Sequence, residues 1–221
     1  MTGRGASTPH GGRPEDESPD GGRLVLIGAS WGGLHAVSTI LAMLPPSVAA
    51  PIVVVQHRAR VGDGLLAELL QACTGRRVGD VEDKEPILPH TVYVAPSDYH
   101  LLVEDGHFSL TTDPVVRYSR PSIDVTLTSA AEAVGPRALG VVLTGANDDG
   151  ARGLRRLVER GGEAIVQEPT TAEVRTMPEA AIQALHGAPA AQWEVAPLER
   201  VAACIAARLT RSATRAAGSA A

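Results

Sequence analysis

The chain has 221 residues, 44% of them hydrophobic, and a net charge of −5. That is enough for one globular domain with a sizeable core, and the acidic balance argues against a nucleic-acid partner. No apolar run reaches the roughly 18 residues of a membrane helix and the amino-terminal segment has no signal-like apolar core, so a cytoplasmic protein without membrane insertion is expected.

Residues 1–22 are rich in Gly, Pro, Ser and Asp and read as a disordered tail. The folded domain is expected over 23–211, with 212–221 as a flexible tail. Within the domain, Leu24–Gly28 reads as a buried strand, followed by the helical pattern Gly33–Leu44. Between them lies Gly28-Ala29-Ser30-Trp31-Gly32, the G-x-S-x-G spacing of a nucleophile elbow. The apolar run Ile52–Gln56 ends at His57, and a helix is expected over Gly64–Cys73. Thr91–Val94 reads as a strand. Leu101–Val103 and Phe108–Thr111 read as a β-hairpin joined by a Gly-containing turn. Ser122–Val134 is helical in pattern, Leu139–Thr144 a strand, Asp149–Arg160 a helix and Glu163–Gln167 a strand. Helices over Pro178–Leu185 and Pro197–Leu209 complete the series. Continuous apolar strands alternating with helices predict a three-layer α/β fold: a doubly wound, mostly parallel sheet with helices on both faces and a small hairpin. Cys73 and Cys204 lack metal-ligand spacing and read as buried thiols.

Ligand sites in such sheets lie beyond the carboxyl ends of the strands. Ser30, His57 and the pair Asp148-Asp149 all follow apolar runs, so they share one rim. A serine hydroxyl needs a base, which His57 supplies. An acid on the second ring nitrogen would fix the tautomer. Spacing does not choose between Asp148 and Asp149, and either could equally cap the helix that follows. The Gly-rich turns after Ser30 and Gly145 can donate N–H groups to an oxyanion. A Gly-rich turn after a first strand also suits phosphate, but a dinucleotide site wants an acid where this chain has Gln56 and His57. His35, His90, His107 and His186 read as surface or loop residues.

Six segments in order carry a resemblance. They are Ile27–Gly33, Val55–His57, Val92–Leu101, Arg120–Asp124, Leu143–Ala151, and Gln167–Ala172 with Met177-Pro178. Together they resemble the catalytic domain of the CheB-type chemotaxis receptor methylesterases, the protein-glutamate methylesterases, from about Leu24 to Leu185. The resemblance implies a serine hydrolase without cofactor or metal, with Ser30 as nucleophile, His57 as base and Asp149 as orienting acid. It implies removal of methyl groups from glutamate γ-methyl esters on the cytoplasmic helices of methyl-accepting receptors, or on another methylated signalling protein, and deamidation of glutamine. Trp31, Gly32 and Ala146 are implied to line the oxyanion and substrate site. The chain departs from the family pattern in three ways: no receiver domain is expected in the 22-residue tail, Trp31 stands where a small residue is usual, and Ala146-Asn147 stands where Met-Gly is usual. These departures leave two other functions open, an esterase or amidase of the same fold acting on a small molecule, and a non-catalytic binding module.

Overall fold

A computed structural model describes residues 22–58 and 65–219, with side chains to 211. Seven strands form one parallel sheet: β1 (Leu24–Ala29), β2 (Ile52–Gln56), β3 (Arg77–Asp80), β4 (Thr91–Val94), β7 (Ala138–Val142), β8 (Glu163–Gln167) and β9 (Trp193–Ala196), in the order β3-β4-β2-β1-β7-β8-β9. β5 (His100–Val103) and β6 (Phe108–Thr111) pair antiparallel as a separate hairpin. The helices are α1 (Gly33–Met43), α2 (Leu65–Gln71), α3 (Ile123–Ala133), α4 (Ala151–Glu159), α5 (Thr176–Leu185) and α6 (Leu198–Ser219).

Alternate residues of each central strand feed two cores. Val25, Ile27, Val54 and Val141 face α1, α2 and α6. Leu26, Val53, Val55 and Val142 face α3, α4, α5 and the hairpin. A strand buried on both faces has no polar alternation, which is why these strands read as unbroken apolar runs. The expected three-layer fold is therefore the observed one.

Several boundaries differ. β3 and β9 were absent from the expected elements because they are edge strands. Arg77-Val78-Gly79-Asp80 has one large apolar residue, and the Trp193-Glu194-Val195-Ala196 run is short, broken by Glu194 and only partly buried. β7 stops at Val142, because the following residues turn to meet Ser30. α4 begins at Ala151 rather than Asp149, with Gly150 at its N-cap and φ 96°. α6 runs to Ser219, beyond the expected Leu209. Of the expected tail over residues 1–22, residues 1–21 lie outside the described residues. Cys73 and Cys204 are half-buried rather than buried, and both are free. Cys73 follows the end of α2, and Cys204 lies within α6, packed against the edge of the core that α1, α2 and α6 share with the sheet. Among the described residues no helix is long and apolar enough to cross a membrane.

α3 and α4 pack closely because Gly153 has no side chain: an added Cβ would lie 2.8 Å from the Asp124 carbonyl and 2.8 Å from the Leu127 Cβ. Gly153→Ala should cost about 1–3 kcal/mol of stability, read as a lower urea midpoint at unchanged slope. Gly79→Ala, with nothing within 4 Å of the added Cβ, should stay within about 0.5 kcal/mol of the parent.

Candidate active site

β1 lies between β2 and β7, so the chain leaves it in both directions and a crevice opens at its carboxyl end. Ala29 is paired with Gln56 in register, and the His57 N–H donates to the Ala29 carbonyl at 3.0 Å. The residues that follow, Ser30 and His57, are therefore neighbours across two strands. On the other side the Ser30 N–H donates to the Thr144 carbonyl at 2.9 Å, and the Thr144 hydroxyl donates to the Trp31 carbonyl at 2.8 Å. Gln167 braces this junction by accepting from the Thr144 N–H at 2.9 Å.

The elbow needs two of its glycines. Gly32 has φ 76°, a conformation that L side chains rarely adopt. At Gly33 a Cβ would lie 2.0 Å from Gln56 Oε1, so glycine lets Gln56 reach beneath the turn. There the Gln56 amide donates to the carbonyls of Ser30 at 2.7 Å and His57 at 3.1 Å.

Asp149 is wholly buried, and its Oδ2 sits 2.8 Å from His57 Nε2. The same oxygen accepts from the Ile123 N–H at 2.7 Å. Its Oδ1 accepts from the Ser122 hydroxyl at 2.9 Å and the Asp124 N–H at 3.0 Å. The carboxylate therefore caps the amino terminus of α3, where the helix dipole favours negative charge. Burial pushes its pKa up, but the His57 bond and the Asp124 and Ile123 amides outweigh it and hold the group below the ordinary 3.8.

Asp124 makes the reciprocal contact. Its Oδ1 accepts from the N–H groups of Gly150 at 3.0 Å and Gly153 at 2.7 Å, capping α4. Burial raises the Asp124 pKa, and the nearby Asp149 charge adds to the rise. Side-chain capping of α4, the role that the sequence left open for Asp148 or Asp149, falls instead to Asp124, while Asp149 caps α3. Asp148 is 49% exposed and pairs with Arg117. Of the two acids left open by spacing, only Asp149 meets His57.

The structure brings His57 and Asp149 into contact and places Ser30 beside them. Among the described residues no hydrogen bond links the Ser30 hydroxyl to His57. A Cβ on Gly145 would lie 2.9 Å from the Ser30 Cβ, so the Gly145–Ala146 backbone passes directly over the serine. The Gly145 N–H is taken by the Val174 carbonyl at 3.0 Å. The N–H groups of Trp31, Gly32 and Ala146 have no acceptor among the described residues and remain available to an oxyanion. Asn147 stabilises the altered turn by accepting from the Asp149 N–H at 3.1 Å. Trp31 is 66% exposed, and its indole N–H donates to Glu173 Oε1 at 2.8 Å.

A pocket of about 210 Å³ adjoins His57, lined by Arg58, Val115, Tyr118, Ser119 and Arg120. A larger hollow of about 720 Å³, beside Arg76 and His90, lies at the opposite end of the sheet. Among the described residues no cluster of three or more His, Cys, Asp or Glu side chains could hold a metal. His35, His90 and His186 are exposed and His107 half-buried. The supporting roles of Gln56, Ser122, Asp124 and Glu173 were not assigned from sequence, since each depends on a partner distant in the chain. Gln56, Ser122 and Asp124 fall within the six segments, the only signal that could have found them.

The CheB methylesterase family model matches residues 25–205. A putative protein-glutamate methylesterase/protein-glutamine glutaminase of Leptospira interrogans is 46% identical over 161 residues, covering 72% of this chain and 83% of that protein. The protein-glutamate methylesterase FrzG of Myxococcus xanthus is 45% identical over 186 residues, covering 82% of this chain and 53% of that protein. The crystal structure of the Thermotoga maritima CheB methylesterase catalytic domain superposes with a TM-score of 0.76 at 32% identity, covering 86% of this chain and 98% of that one. With the family model spanning most of its length, this chain belongs to the CheB methylesterase family.

Proposed function

We propose that this chain is a protein-glutamate methylesterase in which Ser30 is the nucleophile, His57 the base and Asp149 the acid that orients it. The carrying observation is the 2.8 Å contact between His57 Nε2 and a buried carboxylate beside a serine elbow. The names of the relatives supply the substrate class, a methyl-esterified glutamate of a protein; a methylated receptor or another methylated signalling protein is the carrier that the resemblance implies. In the first half-reaction the Ser30 Oγ attacks the ester carbonyl as its proton passes to His57. The tetrahedral oxyanion is met by the N–H groups of Ala146, Trp31 and Gly32. Collapse returns the proton to the methoxide oxygen and methanol leaves. Water then attacks the acyl-enzyme and frees a glutamate side chain. Glutamine would enter the same acyl-enzyme by loss of ammonia, consistent with the glutaminase part of the relatives' names.

The exposed Trp31 indole, tied to Glu173 at the mouth, favours a second reading: a hydrolase of the same mechanism with a small-molecule ester as substrate. Turnover of methylated receptor fragments against small methyl esters separates the two.

Methanol release from methylated receptor cytoplasmic fragments should fall by at least about a thousandfold in Ser30→Ala, and undiminished release would end the serine mechanism. Asp149→Asn should lower kcat by about 10³–10⁴, whereas Asp148→Asn, which loses only a surface ion pair, should stay within about fivefold. The two variants, compared in one steady-state assay, test which acid serves His57. Stability carries a further signature of Asp149. A carboxyl whose folded pKa is depressed adds stability that is present above its unfolded pKa and is lost as pH falls through the folded one. Urea unfolding followed downward from about pH 7 should therefore show a shallower loss below about pH 4 in Asp149→Asn than in the parent. An identical acid limb in both proteins would contradict the assignment.

A further inference from the structure

A carboxylate can only accept hydrogen bonds, so the proton between Asp149 and His57 sits on Nε2 and the ring's lone pair is on Nδ1. The group facing that lone pair is the hydroxyl of Ser119, 3.4 Å away. Ser119 closes a tight turn, Val116–Ser119, whose ends exchange two backbone hydrogen bonds of 3.1 and 2.9 Å. Its central residues, Arg117 and Tyr118, have φ 49° and 65°. For residues with a Cβ, that conformation costs on the order of 1 kcal/mol each. Strain of this kind persists where the surroundings over-determine it. Here Arg117 pairs with Asp148 and lies 3.6 Å from Asp124, the residue that caps α4. Tyr118 is fully exposed, so burial of its ring does not account for the turn. What the turn does deliver is one hydroxyl to the free nitrogen of the base.

In the acyl-enzyme, Ser30 Oγ is esterified and has no proton to give. Water must then reach His57 Nδ1, and a water bonded to Nδ1 can also bond an oxygen 3.4 Å from it. Resting on the triad proposed above, we propose that Ser119 is a positioning residue for the second half-reaction, its hydroxyl serving as the second anchor of the hydrolytic water. The water oxygen bonds to the acyl carbon while its proton passes to Nδ1. The intermediate then collapses, the Ser30 Oγ–carbon bond breaks, and Nδ1 returns the proton to Ser30 Oγ. The carboxylic acid product departs and ionises in water.

The test separates the two halves of the cycle. The protein is acetylated with p-nitrophenyl acetate, excess ester is removed, and the acetyl-enzyme is followed by intact mass. Ser119→Ala should acetylate within about twofold of the parent yet lose its acetyl group about tenfold more slowly. Ser119→Thr, which keeps the hydroxyl, should restore decay to within about threefold of the parent. Unchanged decay in Ser119→Ala would overturn the proposal. So would equal slowing of acetylation and decay, which would mean that the hydroxyl only holds the ring. A parent protein that gains no acetyl group on Ser30 would instead remove the triad itself, and this inference with it.

Discussion

Asp149 is a charge placed out of reach of water, and the active-site end of the molecule is arranged around keeping it there. Transferring an unpaired carboxylate into a protein interior costs several kcal/mol. Four donors offset that cost: His57, the Ser122 hydroxyl and two amides at the start of α3. Hydrogen bonds to a charged group contribute about 1.5–3 kcal/mol each, so the set is sufficient. It also ties the loop after β7 to the head of α3 and to the residue after β2. Asp124 repeats the arrangement in the other direction, from α3 to the head of α4. α3 is capped by a carboxylate from the approach to α4, and α4 by one from the first turn of α3, so the two cannot be separated without stranding both charges.

That exchange has a consequence for chemistry. A carboxylate saturated by fixed donors has no freedom to turn, so the imidazole it holds is fixed as well. The base then presents Nδ1 to the crevice in one orientation. The elbow on the opposite side is fixed by the strand register of β1 with β2 and β7 and by the Thr144 contacts. Nucleophile and base are thus positioned by separate parts of one sheet edge. The mouth is less constrained: Trp31, Glu173 and Tyr118 are exposed, and of the Val116–Ser119 turn it is Arg117 that reaches back to the buried Asp124 and to Asp148.

Much of the fold could be read from the chain because five strands are buried on both faces and leave an unbroken apolar trace. β3 and β9 could not, since these four-residue edge strands bury little and leave no unbroken apolar run. The last helix continues past Leu209 through residues whose Ser, Thr and Gly suggest a loose tail by composition. The triad positions were legible for a related reason. Ser30, His57 and the Asp148-Asp149 pair each end an apolar run, and strand ends converge in a parallel sheet. Spacing alone left the two aspartates equivalent, and their adjacency in sequence hides how differently they point.

By itself, then, the sequence determined the parallel α/β fold, the rim on which the site lies and the six segments that mark the family. Those features are local: runs of apolar residues, glycines at a turn, short motifs in order. Only the tertiary structure decided that Asp149 is buried against α3 while Asp148 faces Arg117. It alone placed Asp124 at the head of α4, Gln56 under the elbow, and Ser119 against the free nitrogen of His57. Each of these depends on a polar contact between residues 25 to 92 positions apart. Sequence spacing carries no information about such a bond until the sheet has brought its strand ends together.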